Sequence, residues 1–130
     1  MATTTRTLWR AADDDLIVGS ASFAAEREDA EAYLRNPGFG GRSLYRAIVE
    51  IDDAQVLDLY DLRDPIARIC EVTGLSHPGA IGADEWVPRI SYDLRAAGYE
   101  WVRVRESYPE NSETWTFVGE DDPDMEQVEA

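Results

Sequence analysis

Glu106 closes a strand-like run, Trp101-Val102-Arg103-Val104-Arg105, in which valines alternate with arginines. A carboxylate delivered at the exit of such a strand can polarise a sugar hydroxyl. It can also stabilise the positive charge that builds on a sugar carbon as its glycosidic bond opens. Glu113, at the head of the next strand-like segment, is placed to serve as a partner carboxylate. Arg10 follows the Leu8-Trp9 pair on an earlier strand, where its guanidinium can fork onto a diphosphate or ribose oxygen. The same arginine can equally be a surface cation beside Asp13, Asp14 and Asp15. Ser22 precedes Phe23 on a short small-residue strand and can hold a strand edge against a ribose. Tyr33 falls on a helical face, where it either stacks on a planar ring or joins the core.

Other chemistries find less support. His77 is the single histidine and Cys70 the single cysteine, so no metal-ligand spacing exists. Cys70 shares a helical stripe with Ile66 and Ile69 and reads as a core thiol, not as a nucleophile paired with His77. Gly38-Phe39-Gly40-Gly41 follows a helix and lacks the lysine of a phosphate-binding loop.

The elements that must position these groups alternate in type. Strands are expected over residues 5–11, 20–24, 43–51, 55–60, 99–105 and 113–118. Between them, residues 26–35 carry acids in the first turn and arginine in the last, and predict a helix ended by Asn36-Pro37-Gly38. Asp64-Pro65 opens a second helix to residue 72. Trp86, Ile90 and Leu94 share one face of a third, over residues 83–97, which Gly98 ends. Residues 16–19 form a short apolar piece and residues 39–42 a loop. The fold class is α+β, a curved and mainly antiparallel sheet with two or three inserted helices.

The chain has 130 residues, enough for one domain over residues 1–119, with residues 120–130 expected to be a mobile acidic tail. Its formal charge is -15, and all 12 basic residues are arginine. That charge argues against direct binding to nucleic acid or to an anionic membrane. It suits a protein partner with a basic surface, or it is a compositional habit of an acidic proteome. No apolar run approaches a membrane span and no apolar leader opens the chain, which points to the cytoplasm.

Taken in order, these pieces resemble small ADP-ribosyltransferase-like proteins of phages and mobile elements, in particular ADP-ribosylating anti-CRISPR proteins. The resemblance rests on Leu8-Trp9-Arg10, Ser22-Phe23-Ala24 leading into an acid-rich helix, and Glu85-Trp86. It continues through Gly98-Tyr99, Val102-Arg103-Val104-Arg105-Glu106 and Glu113-Thr114-Trp115-Thr116-Phe117, with little likeness over residues 39–82. It implies an ADP-ribosyltransferase-like split sheet and NAD as substrate, gripped by Arg10, Ser22, Phe23 and Tyr33, with Glu106 as catalytic acid and Glu113 beside it. The implied acceptor is a macromolecule, such as a protein of a bacterial CRISPR defence complex. Two alternatives share the composition: an acidic, non-enzymatic mimic of nucleic acid that blocks a basic groove, and a toxin acting on NAD or a host target. Arg10 stands where the anti-CRISPR members carry histidine, and the Glu-x-Glu signature of arginine-type toxins is absent.

Overall fold

The structure is a computed structural model, and it describes residues 2–15, 17, 20–36 and 43–129. Among the described residues, seven strands form one sheet in the order β4-β5-β6-β2-β1-β3-β7. They are β1 (Thr3–Ala12), β2 (Ala21–Ala24), β3 (Ser43–Asp52), β4 (Val56–Asp58), β5 (Trp101–Arg105), β6 (Glu113–Phe117) and β7 (Glu126–Val128). Only β4 and β5 run parallel; every other neighbouring pair is antiparallel. The α+β, mainly antiparallel architecture expected from the strand and helix signals is present.

β1 and β3 pair along their whole length, from Thr3–Asp52 to Ala12–Ser43. β1 and β2, by contrast, meet at the single pair Trp9–Ala24. The sheet is therefore two well-laddered halves, β4-β5-β6-β2 and β1-β3-β7, joined by a minimal seam.

Helix α1 (Arg27–Arg35) lies between β2 and β3 in sequence, and its Ala30 packs with Ala24 and Leu44. Helix α2 (Pro65–Thr73) starts as its residues dictate. The Asp64 carboxylate accepts from the Ala67 amide at 3.0 Å, and Pro65 occupies the first turn, where no backbone donor is needed. The single helix expected over residues 83–97 is instead broken. It runs as α3 (Ala83–Trp86), a 3-10 turn (Val87–Ile90) and α4 (Ser91–Ala96). Pro88 accounts for the break, since it cannot donate the amide hydrogen a continuous helix requires. Gly98 follows α4 with φ 99°, a left-handed conformation that suits glycine and turns the chain into β5.

Strand alternation sorts the core. Val102 and Val104 face α2, α3 and α4 and pack with Ile69, Trp86, Val87 and Leu94. Trp101, Trp115, Phe117 and Phe23 point to the opposite side and pack with Leu8, Ala47 and Ile51. Burial of these large rings is the main stabilising contribution on that side.

One expectation needs correction. Residues 120–130 do not all form a free tail. Residues 126–128 add strand β7 to the edge of β3, in the register Leu44–Val128, and Arg46 pairs with Glu126. Met125 packs against the aromatic side of the core. Of the short apolar piece expected over residues 16–19, Leu16, Val18 and Gly19 lie outside the described residues, as does the expected loop over residues 39–42; Ile17 is buried among the same aromatics.

Candidate active site

The seam between the half-sheets opens into a cavity of about 190 Å³. It is lined by Trp9, Arg10 and Ala11 of β1, by Ser22, Phe23 and Ala24 of β2, by Ala30 and Tyr33 of α1, and by Glu106 and Thr114. Five of the six candidate residues from the sequence thus converge on one hollow. Its volume lies below the range of whole-ligand pockets, about 300–1,000 Å³, so it suits one end of an extended ligand, such as a ring with its sugar.

Arg10 bridges the place where the ladder has parted. Its Nη1 donates to the Ser22 carbonyl at 3.1 Å, standing in for a missing strand-to-strand hydrogen bond. Its Nε is buried and makes no hydrogen bond among the described residues. Burial lowers its pKa, against the charge of Asp14, which raises it; a guanidinium nevertheless keeps its proton at any physiological pH. A cation held with an unused buried donor is a fit for an anionic or oxygen-rich ligand.

Ser22 exchanges a hydrogen bond with the Thr116 hydroxyl at 3.0 Å, across the β2–β6 ladder. Phe23 borders the cavity, but its ring is fully buried in the aromatic core, leaning on Trp101 with ring centroids 5.8 Å apart. Tyr33 donates its hydroxyl to the Tyr108 carbonyl and meets the Tyr108 ring edge-on at 5.5 Å. Burial, then the charges of Glu106 and Asp84, hold its hydroxyl well above the ordinary tyrosine range.

Glu106 leaves β5 on the same side as Val102 and Val104, the side that Thr114 occupies by register. Its loop is tied at both ends. The Glu106 amide donates to the Ser112 carbonyl, and the Asn111 amide donates to the Glu106 carbonyl, each at 3.0 Å. Burial pushes the Glu106 carboxyl up to about 8, helped by a hydrogen bond to Asp84 and by the charge of Asp84 and opposed by a hydrogen bond from Thr114. Asp84 behaves oppositely. Burial works to raise its pKa but is outweighed by hydrogen bonds from Glu106, from the Ser107 amide and hydroxyl and from the Glu85 amide, which hold it below the usual range.

Glu113 is not in this cavity. It is the immediate neighbour of Thr114 in the strand, so it projects from the opposite face of β6. There it accepts from Arg103 at 2.9 Å and from the Trp115 indole at 2.6 Å. Burial works against its charge, but these bonds and the cations Arg103 and Arg6 hold it below the usual carboxylate range. Its company is Arg6, Asp53, Asp58 and Arg103 around a separate cavity.

The residues missed by the sequence reading are Asp84 and Thr114. Asp84 sits at the start of a short helix, where acids are common for the helix dipole alone, so nothing marked it. Thr114 was legible in principle from alternation against Val104, its partner in the ladder. Elsewhere, His77 accepts from the Gly79 amide in its own loop, and Cys70 packs against the core of α2. No cluster of metal-binding side chains occurs among the described residues, and no described helix is long and apolar enough to cross a membrane.

The fold has a counterpart among solved structures. It superposes on a protein described as "Crystal structure of an anti-CRISPR protein", with a TM-score of 0.56 over 95% of this chain and 96% of that one. Sequence identity is 14%, so the likeness is one of fold. No family model matches the sequence, and no curated protein matches it.

Proposed function

We propose that this protein is an anti-CRISPR protein that acts as an NAD-dependent mono-ADP-ribosyltransferase on a protein of a CRISPR complex. The observation that carries the reading is the meeting of Arg10, Ser22, Phe23, Tyr33 and Glu106 around one cavity at the sheet seam. The anti-CRISPR part is supported by the fold it shares with a protein so described.

In this reading the nicotinamide end of NAD enters the cavity, with the ring against Tyr33 and the backbone of Phe23 beside it. Its ribose lies near Ser22, and Arg10 holds a ribose or phosphate oxygen with the donors left over from Ser22. Glu106 lies where positive charge develops on the ribose carbon as nicotinamide leaves, and in its ionised form it stabilises that transition state electrostatically, with Asp84 behind it outside the cavity. The formal charge of -15 draws the protein toward a basic target surface.

The test is incubation of the protein with NAD and purified CRISPR effector complex, followed by intact-mass analysis of each subunit. A subunit heavier by one ADP-ribose, absent with Glu106→Gln, is the expected result. A complex that is inhibited without NAD, and equally by Glu106→Gln, would establish instead the non-enzymatic acidic inhibitor that the composition also suits.

A further inference from the structure

The Glu106 carboxyl stands in the wall between two hollows. On one side is the seam cavity, which Arg10, Ser22 and Tyr33 also line. On the other is a groove of about 280 Å³ bounded by Tyr60, Leu62, Asp84, Arg105 and Ser107. Asp84 lines this second side together with Glu106 and is hydrogen-bonded to the next residue, Ser107. It is itself fixed, since Oδ2 accepts from the Ser107 amide at 3.2 Å and from the Ser107 hydroxyl at 3.0 Å. Two carboxyls can hydrogen-bond to each other only when a proton lies between them.

Resting on the cleft reading above, we infer that Asp84 is a positioning residue for Glu106. The two share one proton, and this makes Glu106 the base that deprotonates the nucleophile attacking the ribose. The groove gives that nucleophile a path to Glu106 that does not cross the dinucleotide. The step balances without an oxidant or a metal. The bond from the ribose carbon to the pyridinium nitrogen breaks, and its electron pair leaves with neutral nicotinamide. A lone pair on the nucleophile's oxygen or nitrogen forms the new bond to that carbon, and the nucleophile's proton passes to ionised Glu106, restoring the shared-proton pair.

The surrounding charges agree. Burial and Asp84 bring the Glu106 carboxyl up to about 8, close to neutrality, where a general base is most effective. Tyr33 of α1, raised well above the ordinary range, stays protonated while Glu106 titrates. Arg10 of β1 stays cationic across the cavity. Thr114 of β6 donates to Glu106 and acts in the opposite sense to Asp84. Arg105, the preceding residue, is engaged with Asp61 and with the Tyr60 carbonyl.

The experiment is the rate of nicotinamide release from NAD, with water as nucleophile, from about pH 5 to about pH 9. It is read beside the carboxyl ¹³C titration of Glu106 without substrate. Wild type is expected to rise to a plateau with both midpoints near 8. Asp84→Asn is expected to move both midpoints down by at least about one pH unit and to lower the plateau about tenfold, and Asp84→Glu to restore them. Thr114→Val is expected to move both midpoints up. Opposite shifts from two neighbours do not arise from general loss of structure. Release with midpoints unmoved by Asp84→Asn overturns this inference and leaves the cleft reading standing. No release at any pH, with the subunit adduct also absent, overturns the cleft reading and this inference with it; a Glu106 ¹³C midpoint unmoved by Asp84→Asn overturns the shared proton alone.

Discussion

Arg10 donates to the Ser22 carbonyl at the point where β1 and β2 cease to pair. One side chain therefore does two things: it bridges the two half-sheets, and it brings a cation with a spare buried donor to the cavity between them. A ligand oxygen that takes this spare donor also ties the halves together, so ligand binding and seam stability are linked.

Arg10→Ala is accordingly expected to cost both. Loss of the charge-assisted bond is expected to destabilise the fold by about 1–2 kcal/mol, read as a lower denaturation midpoint in urea. NAD affinity is expected to fall at least about tenfold by calorimetry. Arg10→Lys keeps the charge but has no planar fork to serve Ser22 and a ligand together, so it is expected to recover stability more than affinity. Equal affinity for NAD in wild type and Arg10→Ala would remove Arg10 from the binding site.

The raised pKa of Glu106 makes a signed prediction about stability. Its carboxyl holds a proton in the folded state up to about pH 8, whereas an unfolded glutamate has lost it above about 4.5. Between those values the folded state binds more protons, so this group's contribution to stability falls as pH rises through the window. Glu106→Gln removes the penalty. At pH 7.5 the variant is expected to be more stable than wild type by about 1–2 kcal/mol, after allowance for partial exposure. At about pH 4 the two are expected to match. Thermal melts at both pH values check it; a destabilised Glu106→Gln at the higher pH would mean that the wild-type carboxyl is ionised there.

Asp84 and Glu113 act in the opposite direction. Both are held below the usual carboxylate range, so the stability they contribute is present at neutral pH and is lost as pH falls through their folded-state pKa values. For Glu113 the partners are Arg103 and the Trp115 indole, on the face away from the cavity. Glu113→Gln is therefore expected to destabilise the protein by about 1 kcal/mol, since Arg103 retains Asp58. NAD affinity and nicotinamide release are expected to stay within about twofold of wild type. A loss of release comparable to that of Glu106→Gln would place Glu113 in the chemistry after all.

The contrast between these two acids shows what the residues alone could convey. Alternating valines in β5 fixed the side on which Glu106 emerges, and the order of Arg10, Ser22 and Glu106 along the chain was enough to suggest a shared hollow. The seam that brings them together depends on β1 and β2 pairing only once, which is a property of register and not of composition. Glu113 looked like a partner carboxylate because it is near in sequence, yet a single-residue step in a strand reverses its face. Asp84 was invisible for the converse reason: it is distant in sequence and comes beside Glu106 because α3 packs against β5. The closing strand was hidden by its charge. Glu126 reads as solvated until Arg46 is found beside it.

That closing strand makes the last prediction. β7 covers Leu44, Tyr45 and Arg46 on the outer edge of β3, and without it the row of unpaired backbone groups that passes the exposed Ile48 runs the length of the strand. Met125 fills a place against the aromatic core, and Val128 packs beside Leu44. A chain ended after residue 119 is expected to keep its fold but to lose about 1–3 kcal/mol from the buried Met125 and Val128 surface. It is also expected to self-associate through the bared edge despite its remaining negative charge. Calorimetry and size-exclusion chromatography at several concentrations check both effects. Adding back Met125 and β7 through a linker of the same length, with residues 120–124 replaced by glycine and serine, is expected to restore the elution volume of the full chain. If the glycine–serine version still associates, the acids of residues 120–124, and not the strand, keep the edge apart.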